Sequence, residues 1–293
     1  ITAICGDDLD ESCCTADPVP CGRFRRDFDD DVYDDDSHPA ELSDFRLDRY
    51  EVTVSRFRAF VQEGGAIRQS PIPLQQGQGA HPGYAASGWV ASYVEQLEED
   101  TEALEAALAC EENRATYTIE PGPNEPRPIN CVTWFEALAF CVWDGGRLPT
   151  EAEWNYAAAG GDEQRSYPWA IPVSGVDDSL AAYGCPPSAP ACPPGTFIRT
   201  VGSLPAGVGR WGHHDLAGNV AEWVLDRVTD LDAYLLNCHD CADVTTSGQP
   251  RGFRGGAYDS DPDVVDDLRV SFRASAAPTT RSSRIGIRCA RPF

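Results

Sequence analysis

Lysine and methionine are both missing from this chain of 293 residues, so all 23 basic side chains are arginine. Against them stand 47 acidic residues, giving a formal charge of −24. A surface of that sign repels phosphate backbones and excludes nucleic-acid binding. It suits cations, basic partners, solubility and high salt. No apolar run reaches the roughly 18 residues that a membrane span requires. Methionine is missing even at position 1, so the chain is expected to start after processing, with any signal segment already removed. No Gly-x-Ser-x-Gly nucleophile signature occurs, and no glycine-rich loop leads from a strand into a helix as a phosphate loop would. The five histidines, His38, His81, His213, His214 and His239, form no helical metal-ligand pattern. There is no fixed-period repeat.

Cysteine, in contrast, is plentiful. The twelve cysteines are an even number spread over loops, which fits disulfides in an oxidising compartment: a secreted, periplasmic or cell-surface protein. Cys238-His239-Asp240-Cys241 is the lone C-x-x-C group. It reads as a small disulfide or, with reduced thiols and His239, as a copper or zinc ligand set. A run of acids at Asp27, Asp29, Asp30, Asp31, Asp34, Asp35 and Asp36 reads as a solvated loop or as oxygen ligands for calcium, without the spacing of an EF-hand.

Residues 45–62 read as a strand entering a helix, with Thr53 as N-cap and Val54, Phe57, Phe60 and Val61 facing the core. Residues 66–128 look like an insertion, helical over residues 88–112 and returning extended through four prolines, where Cys110 and Cys131 could form a staple. Thr133 with Glu136, and Thr150 with Glu153, are capping-box pairs ahead of two short helices that end at Gly145-Gly146 and Gly160-Gly161. Few helices and many short segments indicate an α+β chain.

Residues 145–154 read Gly-Gly-Arg-Leu-Pro-Thr-Glu-Ala-Glu-Trp, residues 218–223 Gly-Asn-Val-Ala-Glu-Trp, and residues 254–258 Arg-Gly-Gly-Ala-Tyr. Residues 286–291 read Gly-Ile-Arg-Cys-Ala-Arg, and Leu47 to Thr53 and Tyr167-Pro168-Trp169 fit the same order. Together these closely resemble the sulfatase-modifying-factor family, which includes the formylglycine-generating enzyme. The resemblance implies a single α+β domain of C-type-lectin-like type over residues 42–293, low in regular structure, preceded by a Cys-rich acidic segment at residues 1–41. It implies a disulfide between Cys141 and Cys289. It also implies a structural calcium on the backbone carbonyls of Gly218 and Val220 and the side chain of Glu222; the family's other calcium site has Tyr183-Gly184-Cys185 where an asparagine is expected.

The oxidase branch of that family binds copper(I) with two cysteines, and soft thiolates suit that ion. Here Ser260 stands where the first would lie, no cysteine occurs between Cys241 and Cys289, and Ala257 replaces the family's pocket serine. Copper is therefore not expected. The expected groove carries Trp223, Tyr258, Asp259, Ser260 and Asp261, with Asp263, Asp266 and Asp267 adding acidity that would favour a cationic or polyhydroxylated ligand. Three expectations follow. The first is a secreted, non-oxidase, calcium-stabilised module, a pseudoenzyme for a protein or carbohydrate ligand, with no titratable thiol in the native state. The second is a metal-dependent oxidoreductase with a changed site built on His213, His214 or His239. The third is a subunit of an extracellular assembly that uses the insertion as its contact surface.

Overall fold

The computed structural model describes all residues except 1–3, 6–10, 170–175, 186–191, 193–196, 229, 231–233, 236, 245–248, 262 and 265. Its strands are β1 (Ile4–Cys5), β2 (Glu11–Ser12), β3 (Ala16–Val19), β4 (Gly22–Arg25), β5 (Pro39–Leu42), β6 (Phe45–Asp48), β7 (Ala221–Arg227), β8 (Cys238–His239), β9 (Arg251–Arg254), β10 (Ala274–Ala276), β11 (Ile285–Gly286) and β12 (Ala290–Pro292). The helices are α1 (Val54–Gln62), α2 (Thr101–Ala107), α3 (Trp134–Trp143) and α4 (Glu151–Ala158). Four small sheets result, in the orders β1-β2, β10-β9-β7-β11, β12-β6-β3 and β4-β5-β8.

The helix starts follow from local chemistry. Thr53 Oγ1 accepts the Arg56 N–H at 3.3 Å and opens α1. Both expected capping boxes form: Thr133 and Glu136 satisfy each other's backbone N–H at the head of α3, and Thr150 and Glu153 do so at α4. Glu153 also takes two bonds from Arg147, at 2.6 and 2.5 Å, which locks the Arg-Leu-Pro link between the two helices. α1 and α3 then pack through Phe57, Phe60 and Phe140, whose ring centroids are 5.7 Å apart. Trp134, Trp154 and Trp223 are fully buried and form the largest apolar payload of the core.

The N-terminal segment is built into this framework. β3 pairs with β6 and β4 with β5, so residues 16–25 supply strands to the same sheets as the following chain. The acidic run is not a uniformly solvated loop either. Asp27 and Asp29 are buried. Asp27 pairs with Arg254 at 2.7 Å, and Asp29 accepts from Arg269 at 3.1 Å and from Ser271 at 2.7 Å. The insertion forms a short 3-10 segment at Ala91–Gln96 and then α2, where a longer helix was expected; Leu97 separates the two in extended backbone.

Five disulfides are present: Cys5–Cys13, Cys110–Cys131, Cys141–Cys289, Cys185–Cys192 and Cys238–Cys241. Cys141–Cys289 joins α3 to the C-terminal segment, as the resemblance implied. Closing a loop of that length removes on the order of 5 kcal/mol of unfolded-chain entropy. Cys14 and Cys21 are exposed and unpaired, which corrects the expectation of a fully oxidised set. They flank β3, and its pairing to β6 holds them at opposite ends of an extended strand. No helix among the described residues is long and apolar enough to cross a membrane.

Candidate functional site

Two of the signature motifs dock onto each other. The Gly218 N–H donates to the Gly255 carbonyl at 2.7 Å, and the Tyr258 N–H donates to the Asn219 carbonyl at 2.9 Å. The glycines are required by the closeness of this contact. Gly218 sits at φ +76°, and a Cβ there would lie 2.4 Å from the Ala182 carbonyl oxygen. Gly256 sits at φ +64°, and a Cβ there would lie 2.7 Å from the Asp267 carbonyl oxygen. The loop after β9 is thereby pressed against both the 218–223 motif and the 3-10 turn Asp266–Leu268.

This arrangement sorts the expected groove residues. Trp223 is fully buried, donates from Nε1 to the Val132 carbonyl at 3.0 Å and meets Phe253 edge-on; it belongs to the core and does not line a groove. Tyr258 is also fully buried, its hydroxyl 2.7 Å from Ser283 Oγ and 3.3 Å from Arg114 Nη1, and burial raises its pKa. Ser260 is buried as well. Its hydroxyl donates to Asp267 Oδ2 at 2.7 Å and accepts the Ala257 N–H at 3.0 Å. Asp259 reaches Arg284 at 2.9 Å and burial raises its carboxyl pKa, while Asp261 is exposed and caps the Asp263 N–H at 2.9 Å.

A cleft of about 350 Å3 opens beside this loop. Phe253, Phe272, Ala274, Ala276 and Ile285 form its apolar surface, and Asp267 and Arg284 stand in its lining. The same Arg284 holds both Asp259 and Asp267, the latter at 3.4 Å. Of the acids expected to attract a cation only Asp267 lines the cleft, with Arg284 beside it, so the cleft is mainly apolar. β10 is an edge strand of its sheet and supplies Ala274, Ser275 and Ala276 to the cleft. The sequence reading missed Arg284, Phe253 and Phe272. Only the position of Arg284, two residues before the Gly-Ile-Arg motif, could have drawn notice to it.

The expected calcium ligand has another partner. Glu222 is fully buried and accepts from Arg288 Nε at 2.9 Å and Nη2 at 2.7 Å, and from Trp154 Nε1 at 2.7 Å. The nearby Glu51 accepts Asn219 Nδ2 at 2.6 Å and the Val220 N–H at 3.1 Å. Burial, reinforced by the charges of Asp215 and Glu222, raises Glu51 well above the usual carboxylate range. Burial also lifts Asp215 to about 6, against the bond it accepts from the Gly202 N–H. A dication on Glu222 would compete with a bonded guanidinium, so this donor set does not fit the calcium expected at Gly218, Val220 and Glu222. Among the described residues no group of three or more His, Cys, Asp or Glu is arranged to hold a metal ion.

The histidines do not converge. His213 is fully buried and held neutral by burial and the charge of Arg288, its pKa lowered to about 3. His214 stacks on Tyr50 at 5.1 Å, and His239 is exposed on β8 beside the Cys238–Cys241 disulfide. They do not form the changed metal site considered from sequence.

Comparison with known proteins places this geometry. The chain is 26% identical over 313 residues to formylglycine-generating enzyme of Mus musculus, covering 93% of this chain and 74% of the mouse protein. It is 28% identical over 269 residues to hercynine oxygenase of Mycolicibacterium smegmatis, covering 87% of this chain and 54% of that protein. The solved structure of Treponema denticola variable protein 1 superposes with a TM-score of 0.59 at 19% identity, covering 95% of each chain. The sulfatase-modifying factor enzyme 1-like domain matches residues 12–293, and the chain belongs to that family.

Proposed function

We propose that this chain is a secreted or cell-surface member of its family that has given up copper-dependent oxidation, and that its cleft binds an extended polypeptide segment. The observation that carries the first half is Ser260. At the position where the oxidase branch needs a thiolate, a buried hydroxyl is tied to Asp267 and to the Ala257 N–H. Oxygen donors are a poor match for copper(I), which prefers soft sulfur ligands. The sequence holds no cysteine between Cys241 and Cys289 to supply a second thiolate. Both relatives named above bear the names of enzymes, and the reading rests on the departures at Ser260, at Ala257 and at the missing second cysteine.

The second half rests on the cleft. An apolar floor beside an edge strand suits β-strand addition, in which main-chain bonds give affinity and a pocket reads alternate side chains. Ala274, Ser275 and Ala276 supply the strand, and Phe253 and Phe272 supply the apolar surface. Five disulfides suit the oxidising compartment in which such binding would take place.

The test is selection of a displayed peptide library on the native chain and on Ala276→Trp, which fills the cleft. Enriched sequences should share one large apolar residue within an extended stretch, and Ala276→Trp should lose them. Equal enrichment on both proteins would contradict this reading.

A further inference from the structure

A second cavity, of about 120 Å3, shares no lining residue with the cleft. It lies among α4, the end of β7 and the residues that follow β4, with Ala152 of α4 in its wall. Most of its charges are paired. Arg254 holds Asp27 at 2.7 Å and Glu151 at 3.0 Å, Arg273 holds Glu151 at 2.7 Å, and Arg227 holds Asp243 at 2.9 Å.

Among the described residues, two ionisable side chains of this lining, Arg26 and Asp226, have no oppositely charged side chain bonded to them. Arg26 is 8% exposed and its nearest acceptors are neutral: the Leu235 carbonyl at 2.7 Å, the His38 carbonyl at 3.4 Å and Cys241 Sγ at 3.6 Å. Asp226 is 6% exposed and accepts the N–H groups of Glu151 and Asp243, each at 2.8 Å, with no basic side chain bonded to it among the described residues. A buried charge without a counter-charge is costly, and burial, reinforced by the charge of Glu151, lifts the Asp226 carboxyl to about 7, a shift that a cation beside it would reverse. A ligand that brings both counter-charges into the same cavity removes both costs at once. A cavity of roughly 150 Å3 accommodates a ring of six carbon atoms, so this one suits a molecule of about that many heavy atoms or fewer.

We propose that this cavity binds a small zwitterion, an α-amino acid between glycine and serine in size, with its carboxylate on Arg26 and its ammonium group on Asp226. Each Arg26 Nη carries a second N–H beyond the bond it makes, for which a carboxylate is the matched acceptor, and each Asp226 oxygen, bonded to one N–H, keeps a lone pair that an ammonium group could meet. This site is independent of the peptide cleft, and neither proposal depends on the other.

Isothermal titration of the full chain with glycine, L-alanine and L-serine tests it. At least one of the three should give a one-site isotherm, and L-leucine should give none. Acetate and methylammonium, each carrying half of the ligand's charge, should bind at least about tenfold more weakly. Arg26→Gln and Asp226→Asn should each abolish binding. Because each of these variants alters a buried ionisable group on which folding also depends, Ala152→Leu provides a second test: it fills the cavity without touching its charges and should also abolish binding. No heat with any of the three amino acids on the native chain would overturn the proposal. So would acetate binding as tightly as glycine, which would mark a plain anion site, or full binding by Ala152→Leu.

Discussion

Arg288 and Glu222 form a fully buried ion pair, with Nη2 2.7 Å from Oε1. Arg288 also donates to the carbonyls of Asp48 and Arg49, each at 2.9 Å, and to that of His214 at 2.7 Å. One guanidinium thus ties the C-terminal motif to the 218–223 motif and to the end of β6. Arg288→Met leaves Glu222 buried with the Trp154 indole as its remaining donor. We expect a loss of about 3–5 kcal/mol in urea unfolding. Arg288→Met combined with Glu222→Gln should recover part of that loss, since the stranded charge is then gone.

The same pair makes a prediction about metal. With both Glu222 oxygens engaged, chelation by EGTA should move Tm by no more than about 1 °C, because a ligand that does not bind contributes no linkage. A fall of many degrees, reversed by added calcium, would return Glu222 to the role of calcium ligand.

Acid sensitivity should trace to His213. Its folded pKa lies near 3 against an ordinary 6.5, chiefly because it is buried. Between those values the unfolded chain binds the extra proton, so stability contributed by neutral His213 is present above pH 6.5 and lost as pH falls toward 3. Relative to His213→Phe, the native chain should lose about 2 kcal/mol between pH 6.5 and 5, at about 1.4 kcal/mol per unit. Asp215 acts with the opposite sign. Its pKa is raised from 3.8 to about 6, so its contribution is present below pH 3.8 and is lost as pH rises through 6. Relative to Asp215→Asn, the native chain should weaken across that window. Thermal melts of the three proteins from pH 4 to pH 8 check both signs.

Thiol counting should give two reactive groups on the native protein, Cys14 and Cys21, and twelve after unfolding with reductant. Cys21 should react slowly near neutral pH, because the Asp44 carboxylate raises its pKa. A count of zero would mean that the two thiols have found partners.

Local chemistry was readable from sequence alone. Thr133, Glu136, Thr150 and Glu153 lie within one helical turn of the groups they cap, so spacing suffices to find them. The Cys141–Cys289 bridge spans 148 positions, and only the family resemblance pointed to it. What stayed hidden depends on partners far along the chain. Asp29 is 240 positions from Arg269, and nothing near Asp29 marks it as buried. Trp223 alternates correctly on a strand, but β7 is buried on both faces, so alternation could not say which neighbour it would meet. Arg284 became visible only when Asp259 and Asp267 were brought to either side of it.

The most direct test of the account is incubation of the purified chain with copper(I), oxygen and a cysteine-containing sulfatase peptide, followed by mass spectrometry. The buried Ser260–Asp267 hydrogen bond predicts that the peptide's cysteine is recovered unchanged. Formation of the formylglycine aldehyde at more than a background rate would contradict it.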